Sequence, residues 1–155
     1  MLKQDPTIPF TKEAHEQLVK ELHRLTIELE AVKERVRVAR EMGDLSENGA
    51  YHYGKFELGS ISRQLRQIQY QLKHGYILST TMSDKVRVGN VVTISQAGVT
   101  VDYRIVSAYE ADPRKGKISQ ESPIGQALLG KKVGDTITIM LPAGEKTYSV
   151  EKITV

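Results

Sequence analysis

Two segments in the first half of the chain place apolar residues at alternating spacings of three and four, the heptad pattern of packed helices. In the first segment these positions are Leu18, Leu22, Leu25, Leu29, Val32, Val36 and Ala39. In the second they are Tyr51, Gly54, Leu58, Ile61, Leu65, Ile68 and Leu72. Thr11 suits the N-cap of the first helix. Because only the short stretch GDLSEN (43–48) separates the segments, we expect an antiparallel helical hairpin, with residues 11–42 spanning about 48 Å.

The second half of the chain changes to the patterns of β-strands. Its β-branched runs cover residues 90–95, 99–106, 136–141 and 146–153, each bounded by Gly, Pro or Asp. One short helix is predicted between them, with Ser122 as its cap, Pro123 in its first turn and Gly130 at its end. These elements predict an α+β chain with two domains, a helical hairpin over 1–78 and a mainly antiparallel sheet with one helix over 79–155.

The composition narrows the classes of function. Without Cys the chain has no disulfide and no thiolate metal site. It has no apolar run of the roughly 18 to 20 residues that a membrane span needs, and its N-terminus lacks the apolar core of a secretory signal. We therefore expect a cytoplasmic protein. The net charge of +3 is spread over both halves, so tight binding to duplex DNA is not implied.

Two carboxylates, Asp44 and Glu47, lie at the predicted turn of the hairpin. One interpretation is structural: Asp-x-x-Glu is the spacing of a capping box, in which Asp44 would cap the second helix and Glu47 would be its third residue. The other is chemical: carboxylate oxygens are hard ligands suited to Mg²⁺. Two carboxylates alone do not make a strong metal site, so on this interpretation they complete one that a partner supplies.

Basic residues behind the turn are predicted to share one flank of the hairpin. The heptad assignment puts Lys33, Arg40 and Lys55 at e positions, which lie side by side in an antiparallel pair, with Arg37 at the neighbouring b position. Such a flank can face a polyanion. The alternative is an ordinary solvated flank, in which Glu30 and Glu34 pair with nearby basic residues of the same helix.

Three stretches of the sequence resemble the GreA/GreB family of bacterial transcript cleavage factors. They are AREMGDLSENGAYHYGK (39–55), ISQESPIGQALLGKKVGD (118–135) and LPAGEKTYSVEKI (141–153). The resemblance implies an N-terminal antiparallel coiled coil and an FKBP-like C-terminal domain. It implies a monomeric transcription elongation factor that binds bacterial RNA polymerase, enters its secondary channel and stimulates the polymerase's own cleavage of backtracked RNA. Such a factor is no enzyme by itself and has no cofactor of its own.

The resemblance also implies roles for individual residues. Asp44 and Glu47 match the pair that assists the polymerase active site by holding Mg²⁺ jointly with the polymerase. The basic flank of Lys33, Arg37, Arg40 and Lys55 is where RNA contacts are expected. Glu121, Ser122 and Pro123 match the edge that docks on the polymerase at the rim of its channel. Gly49 and Ala50 depart from the family, many members of which have a further acidic residue in that stretch.

Three other functions remain open at this stage. A relative that binds the same channel but inhibits cleavage is one, although the turn lacks the longer acidic run of such proteins. Prolyl isomerase activity would need a pocket lined by several aromatic residues, and this half offers only Tyr76, Tyr103, Tyr109 and Tyr148. A purely structural coiled coil that oligomerises through its heptads is the third.

Overall fold

The protein is described by a computed structural model that covers residues 7–43, 47–79 and 82–155. The chain divides into two compact units. The helical unit comprises His15–Gly75, and the β unit comprises Tyr76–Val155 together with the segment that ends at Ala14. The contacts of residues 7–14 thus group this segment with the second half of the chain.

Two long helices form the helical unit, as the heptads predict. Helix α1 spans Lys12–Glu41 and helix α2 spans Gly49–His74. The heptad residues form its core: Leu25, Val32, Ile61, Leu65 and Ile68 are buried, with Leu18, Leu22, Leu29, Val36, Leu58 and Leu72 packed against them. The two seams therefore bury each other within one chain.

The start of α1 is fixed by Thr11, the predicted N-cap. Its hydroxyl accepts a hydrogen bond from the amide of Ala14 at 3.2 Å, as a capping side chain does. The amide and hydroxyl of Thr11 also donate to the carboxylate of Glu110, at 2.8 and 2.9 Å. These bonds hold the segment before the helix in the β unit.

The β unit contains two sheets. Strands β1 (Ile8–Phe10) and β2 (Gly75–Ile77) form a two-stranded sheet. The larger sheet has the order β5-β4-β3-β7-β6. Its strands are β3 (Val91–Gln96), β4 (Val99–Val106), β5 (Lys117–Ser119), β6 (Thr136–Leu141) and β7 (Gly144–Thr154). All neighbouring strands of this larger sheet are antiparallel except β4 and β5, which are parallel. The sheet is therefore mainly antiparallel, as the sequence predicts, with one parallel pair.

The short helix α3 (Pro123–Leu128) lies where the sequence predicts it, against β5 and β6. The core of the β unit consists of Val86, Val92, Ile94, Ile105, Ile118, Leu128, Ile137, Ile139 and Val150. The α+β class, the helical hairpin and the FKBP-like sheet domain with one short helix are confirmed. In the part of the chain described, no helix is both long and apolar enough to cross a membrane.

Candidate functional site at the hairpin tip

The tip of the hairpin is the stretch between Glu41, where α1 ends, and Gly49, where α2 begins. Asp44 lies outside the described residues. Glu47 is exposed and precedes the first residue of α2 by two positions. The carboxylate of Glu47 accepts no hydrogen bond from any residue within 7–43, 47–79 and 82–155. Glu47 is thus accessible at the surface of the tip.

The cap of α2 is Asn48. Its side-chain oxygen accepts a hydrogen bond from the amide of Tyr51 at 3.1 Å, and its side-chain amide donates to the carbonyl of Ala39 at 2.7 Å. The same side chain thus begins one helix and satisfies a carbonyl group in the last turn of the other. A capping box made by Asp44 and Glu47 would require Glu47 inside α2, and Glu47 precedes that helix. The capping box considered for Asp44 and Glu47 is therefore not the cap of α2, which is Asn48.

The basic flank is placed by an ion pair on the opposite side of the hairpin. Arg35 and Glu57, both at g positions, form a bridge of 2.8 Å between the helices. Because g positions face g positions in an antiparallel pair, the e positions meet on the other flank. Lys33, Arg40 and Lys55 occupy that flank, and the ammonium group of Lys55 lies 5.3 Å from the ring centroid of Tyr51.

Two of the predicted RNA-binding residues already have partners on their own helix. Lys33 pairs with Glu30 at 2.7 Å. Arg37 pairs with Glu34 at 2.7 Å and with Glu41 at 2.6 Å. Hydrogen bonding to Glu34 raises the pKa of Arg37 and lowers that of the Glu34 carboxyl. These pairs are exposed and therefore screened by salt, so a phosphate could replace the carboxylates but would have to compete with them.

The predicted docking edge forms the corner between β5 and α3. The hydroxyl of Ser122 accepts from the amide of Gly125 at 3.1 Å and donates to the carbonyl of Ser119 at 2.7 Å. The amide of Glu121 donates to the hydroxyl of Ser119 at 3.1 Å. Glu121 and Pro123 are exposed on this corner. Its backbone is thus fixed by a local network, and its outer side chains are accessible to a partner.

Two cavities of the β unit bear on the prediction about an isomerase site. Two neighbouring cavities, of about 350 and 560 Å³, share Ile77, Leu78, Ser79, Gly89 and Val155. Tyr76 is the one aromatic residue among those that line them. An apolar pocket built from several aromatic side chains is absent from these two cavities, so their geometry gives prolyl isomerisation no support.

Carboxylates are the possible metal ligands at the tip. Within the described ranges, no three His, Asp or Glu side chains come together as a metal-binding group. Glu47 is an accessible hard ligand, and the sequence places a second carboxylate, Asp44, three positions before it.

Comparison with known proteins identifies the class as transcription elongation factors. Residues 8–77 match the family described as "Transcription elongation factor, N-terminal", and residues 80–155 match "Transcription elongation factor, GreA/GreB, C-term". The chain belongs to the GreA/GreB family.

Individual relatives cover almost the whole chain. It is 42% identical to transcription elongation factor GreA of Macrococcus caseolyticus over 142 residues, which cover 89% of this chain and 90% of that protein. It is 39% identical to GreA of Lactococcus lactis subsp. cremoris over 154 residues, or 96% and 99% of the two chains. Among solved structures, GreA factor homolog 1 of Thermus thermophilus aligns with a TM-score of 0.47 and 26% identity, covering 98% and 100% of the two chains.

Proposed function

We propose that this protein enters the secondary channel of bacterial RNA polymerase and stimulates the polymerase's own cleavage of backtracked RNA. The observation that carries the proposal is the cap of α2. Because Asn48 caps this helix, Asp44 and Glu47 are not needed to begin it, and the exposed carboxylate of Glu47 is left for another role. The reaction belongs to the polymerase, and this chain assists it without being an enzyme itself.

The two tip acids would act as ligands to Mg²⁺ that the polymerase also binds. One or two carboxylates commonly hold this ion, with water and phosphate completing its shell. When bound, Mg²⁺ would supply the Lewis acidity that makes a water molecule a better nucleophile towards the phosphodiester. The contribution of this chain is to carry the acids to that site on a long hairpin whose tip is closed by Asn48.

The remaining predicted site residues would contact two different parts of the transcription complex, the RNA and the polymerase. Arg40 and Lys55, with Lys33 and Arg37, would attract the phosphates of the extruded RNA along the flank opposite Arg35 and Glu57. Glu121, Ser122 and Pro123 would dock on the rim of the channel, because their corner is held by hydrogen bonds and needs no rearrangement before binding. The GreA relatives, named as transcription elongation factors, support this assignment.

The test uses halted, backtracked complexes of the cognate RNA polymerase with 3′-labelled RNA and Mg²⁺. The wild type should release short labelled fragments. The variant Asp44→Asn/Glu47→Gln should not release them, while its affinity for the polymerase stays within about twofold of the wild type. Glu28→Gln is the matched control, since Glu28 is a half-exposed residue of α1 that pairs with Arg24 far from the tip. Polymerase binding by the wild type without fragment release would contradict the proposal and would indicate an inhibitor of the same channel.

A further inference from the structure

The outward side of α2, facing away from the seam, combines aromatic and basic residues. Five of them lie within an arc of about 140° on a helix that turns 100° per residue. We refer to these five residues as the α2 outer face: Tyr53, Phe56, Arg63, Arg66 and Tyr70. They run along more than half of the helix, starting one turn from the tip.

The aromatic rings of this face are unusually accessible. The exposed fractions of Tyr53, Phe56 and Tyr70 are 69%, 71% and 54%. Phe56 has no polar group with which to face water, and Tyr53 lies one turn away from it on the same side of the helix. Exposed apolar groups gathered on one face of a protein mark a surface that binds something.

The charge of this face distinguishes it from α1. Helix α1 has seven basic and seven acidic residues, and its pairs of opposite charge include Arg24 with Glu21 and Glu28, and Arg37 with Glu34 and Glu41. Helix α2 has four basic residues and one acid, Glu57, which is paired across the hairpin with Arg35. The formal charge of α2 is therefore +3, and its single acidic residue, Glu57, is not part of the outer face.

Arg63 is directed along the face rather than away from it. Its guanidinium lies 3.6 Å from the point where a β carbon on Gly59 would be. Gly59 is one turn before Arg63, so the charge leans towards the end of α2 that carries Phe56 and Tyr53. Arg63 and Arg66 form no ion pair with any residue in the part of the chain that the structure describes.

We propose that the α2 outer face binds unpaired nucleotides of single-stranded RNA, with bases stacked on Tyr53 and Phe56 and phosphates held by Arg63 and Arg66. Aromatic platforms beside unpaired basic residues bind single strands without regard to sequence, because every base has a π-face. In the complex this strand is the extruded RNA, a step that rests on the proposed function. The binding itself is a property of the free protein and can be measured without polymerase.

The experiment is fluorescence anisotropy of a labelled 10-nucleotide single-stranded RNA with the full-length protein at about 50 mM salt. The variant Tyr53→Leu/Phe56→Leu keeps apolar side chains but removes the rings, and should weaken binding about tenfold. Tyr109→Leu is the control for the aromatic change, since Tyr109 is 51% exposed in the β unit. Arg63→Gln should weaken binding more than Arg24→Gln, although each removes one positive charge. Circular dichroism confirms that every variant keeps its helices.

Two further outcomes bear on the inference. A duplex of the same length should bind more weakly than the single strand, because its bases are not free to stack. Unchanged binding by the leucine variant would overturn the stacking assignment, and if the same variant then lost affinity for polymerase, the face would be a protein-docking surface. Cleavage of backtracked RNA by a wild type that does not bind the oligonucleotide would refute this inference and leave the proposed function intact.

Discussion

Gly54 of α2 lies directly against Val36 of α1. A β carbon built on Gly54 would be 2.7 Å from a methyl carbon of Val36, a separation that real β carbons essentially never show. The absence of a side chain at this buried heptad position therefore lets the two helices approach closely in the half of the hairpin that leads to the tip. Glycine destabilises a helix because it loses more conformational entropy on folding than other residues. At this position the same residue allows a close contact between the helices.

Gly54→Ala should consequently destabilise the hairpin. The stiff, β-branched Val36 has to move, and overpacking of this kind costs about 1–3 kcal/mol, against a gain of up to about 1 kcal/mol in helix propensity. Gly59→Ala is the matched control, because its β carbon meets only the end of Arg63 at 3.6 Å and should stabilise the helix. Urea unfolding of both variants measures the difference, and equal stabilisation by both would show that the contact with Val36 is not tight.

Asn48→Ala should loosen the tip of the hairpin. It removes the cap of α2 and the hydrogen bond to Ala39, and the loss of an N-cap costs about 1 kcal/mol. We expect cleavage stimulation to fall several-fold, while the affinity for polymerase changes little. Hydrogen exchange of the Tyr51 amide should speed up in parallel.

Asn48→Asp distinguishes the effects of the two hydrogen bonds that the Asn48 side chain forms. An aspartate still accepts from the amide of Tyr51 but no longer donates to the carbonyl of Ala39. If closing the tip matters as much as capping, Asn48→Asp should lie between the wild type and Asn48→Ala in cleavage. Activity of Asn48→Asp equal to that of the wild type would show that the bond to Ala39 is dispensable.

Gly125→Ala should be among the most damaging single changes in the β unit. Its β carbon would lie 2.0 Å from the carbonyl oxygen of Ser119, and a clash with backbone cannot be relieved by turning a side chain. We expect a loss of about 3 kcal/mol or more in the free energy of unfolding and weaker binding to polymerase through the corner at Glu121. Gln126→Ala, at an exposed position of the same helix, is the control and should be close to neutral.

The ion pair between Arg37 and Glu34 predicts a pH effect. Its hydrogen bond lowers the pKa of the Glu34 carboxyl. The stability that the pair contributes to the folded protein is therefore fully present above the ordinary pKa of a glutamate. It is lost as the pH falls through the lowered pKa. Arg37→Gln should return the pKa of Glu34 to its ordinary range, as measured by NMR titration. Arg35→Gln should not, since Arg35 pairs with Glu57. An unchanged pKa of Glu34 in Arg37→Gln would mean that Arg37 is already free to bind RNA.

The architecture of the fold was predictable because the sequence contains periodic patterns for most of its elements. Fourteen heptad positions specify the hairpin, and β-branched runs between turn residues specify β3, β4, β6 and β7. Strands β1, β2 and β5 were missed, because each has three residues and so shows no periodicity. The parallel pairing of β4 with β5 depends on tertiary contacts that no local pattern records.

The candidate site shows the same division. Asp-x-x-Glu has the spacing of a capping box, yet the helix begins at Gly49, and its cap is Asn48 rather than Asp44. Asn is itself a preferred cap. The third residue after Asn48 is Tyr51, however, where a capping box has Glu or Gln, so the capping-box pattern does not identify Asn48. The ion pairs of Lys33 and Arg37 were weighed from spacing alone. Their geometry shows that Arg37 has two carboxylate partners rather than one.

The Mg²⁺ dependence of cleavage tests the central claim most directly. Backtracked complexes are incubated with wild type or Glu47→Gln at saturating protein, and the rate of RNA cleavage is measured over a range of Mg²⁺ concentrations. If Glu47 is a ligand of the ion, the variant should need a higher Mg²⁺ concentration for half-maximal cleavage, and high Mg²⁺ should restore part of its rate. An unchanged half-maximal concentration, with the rate reduced equally throughout or not reduced at all, would contradict the assignment of Glu47 to the metal.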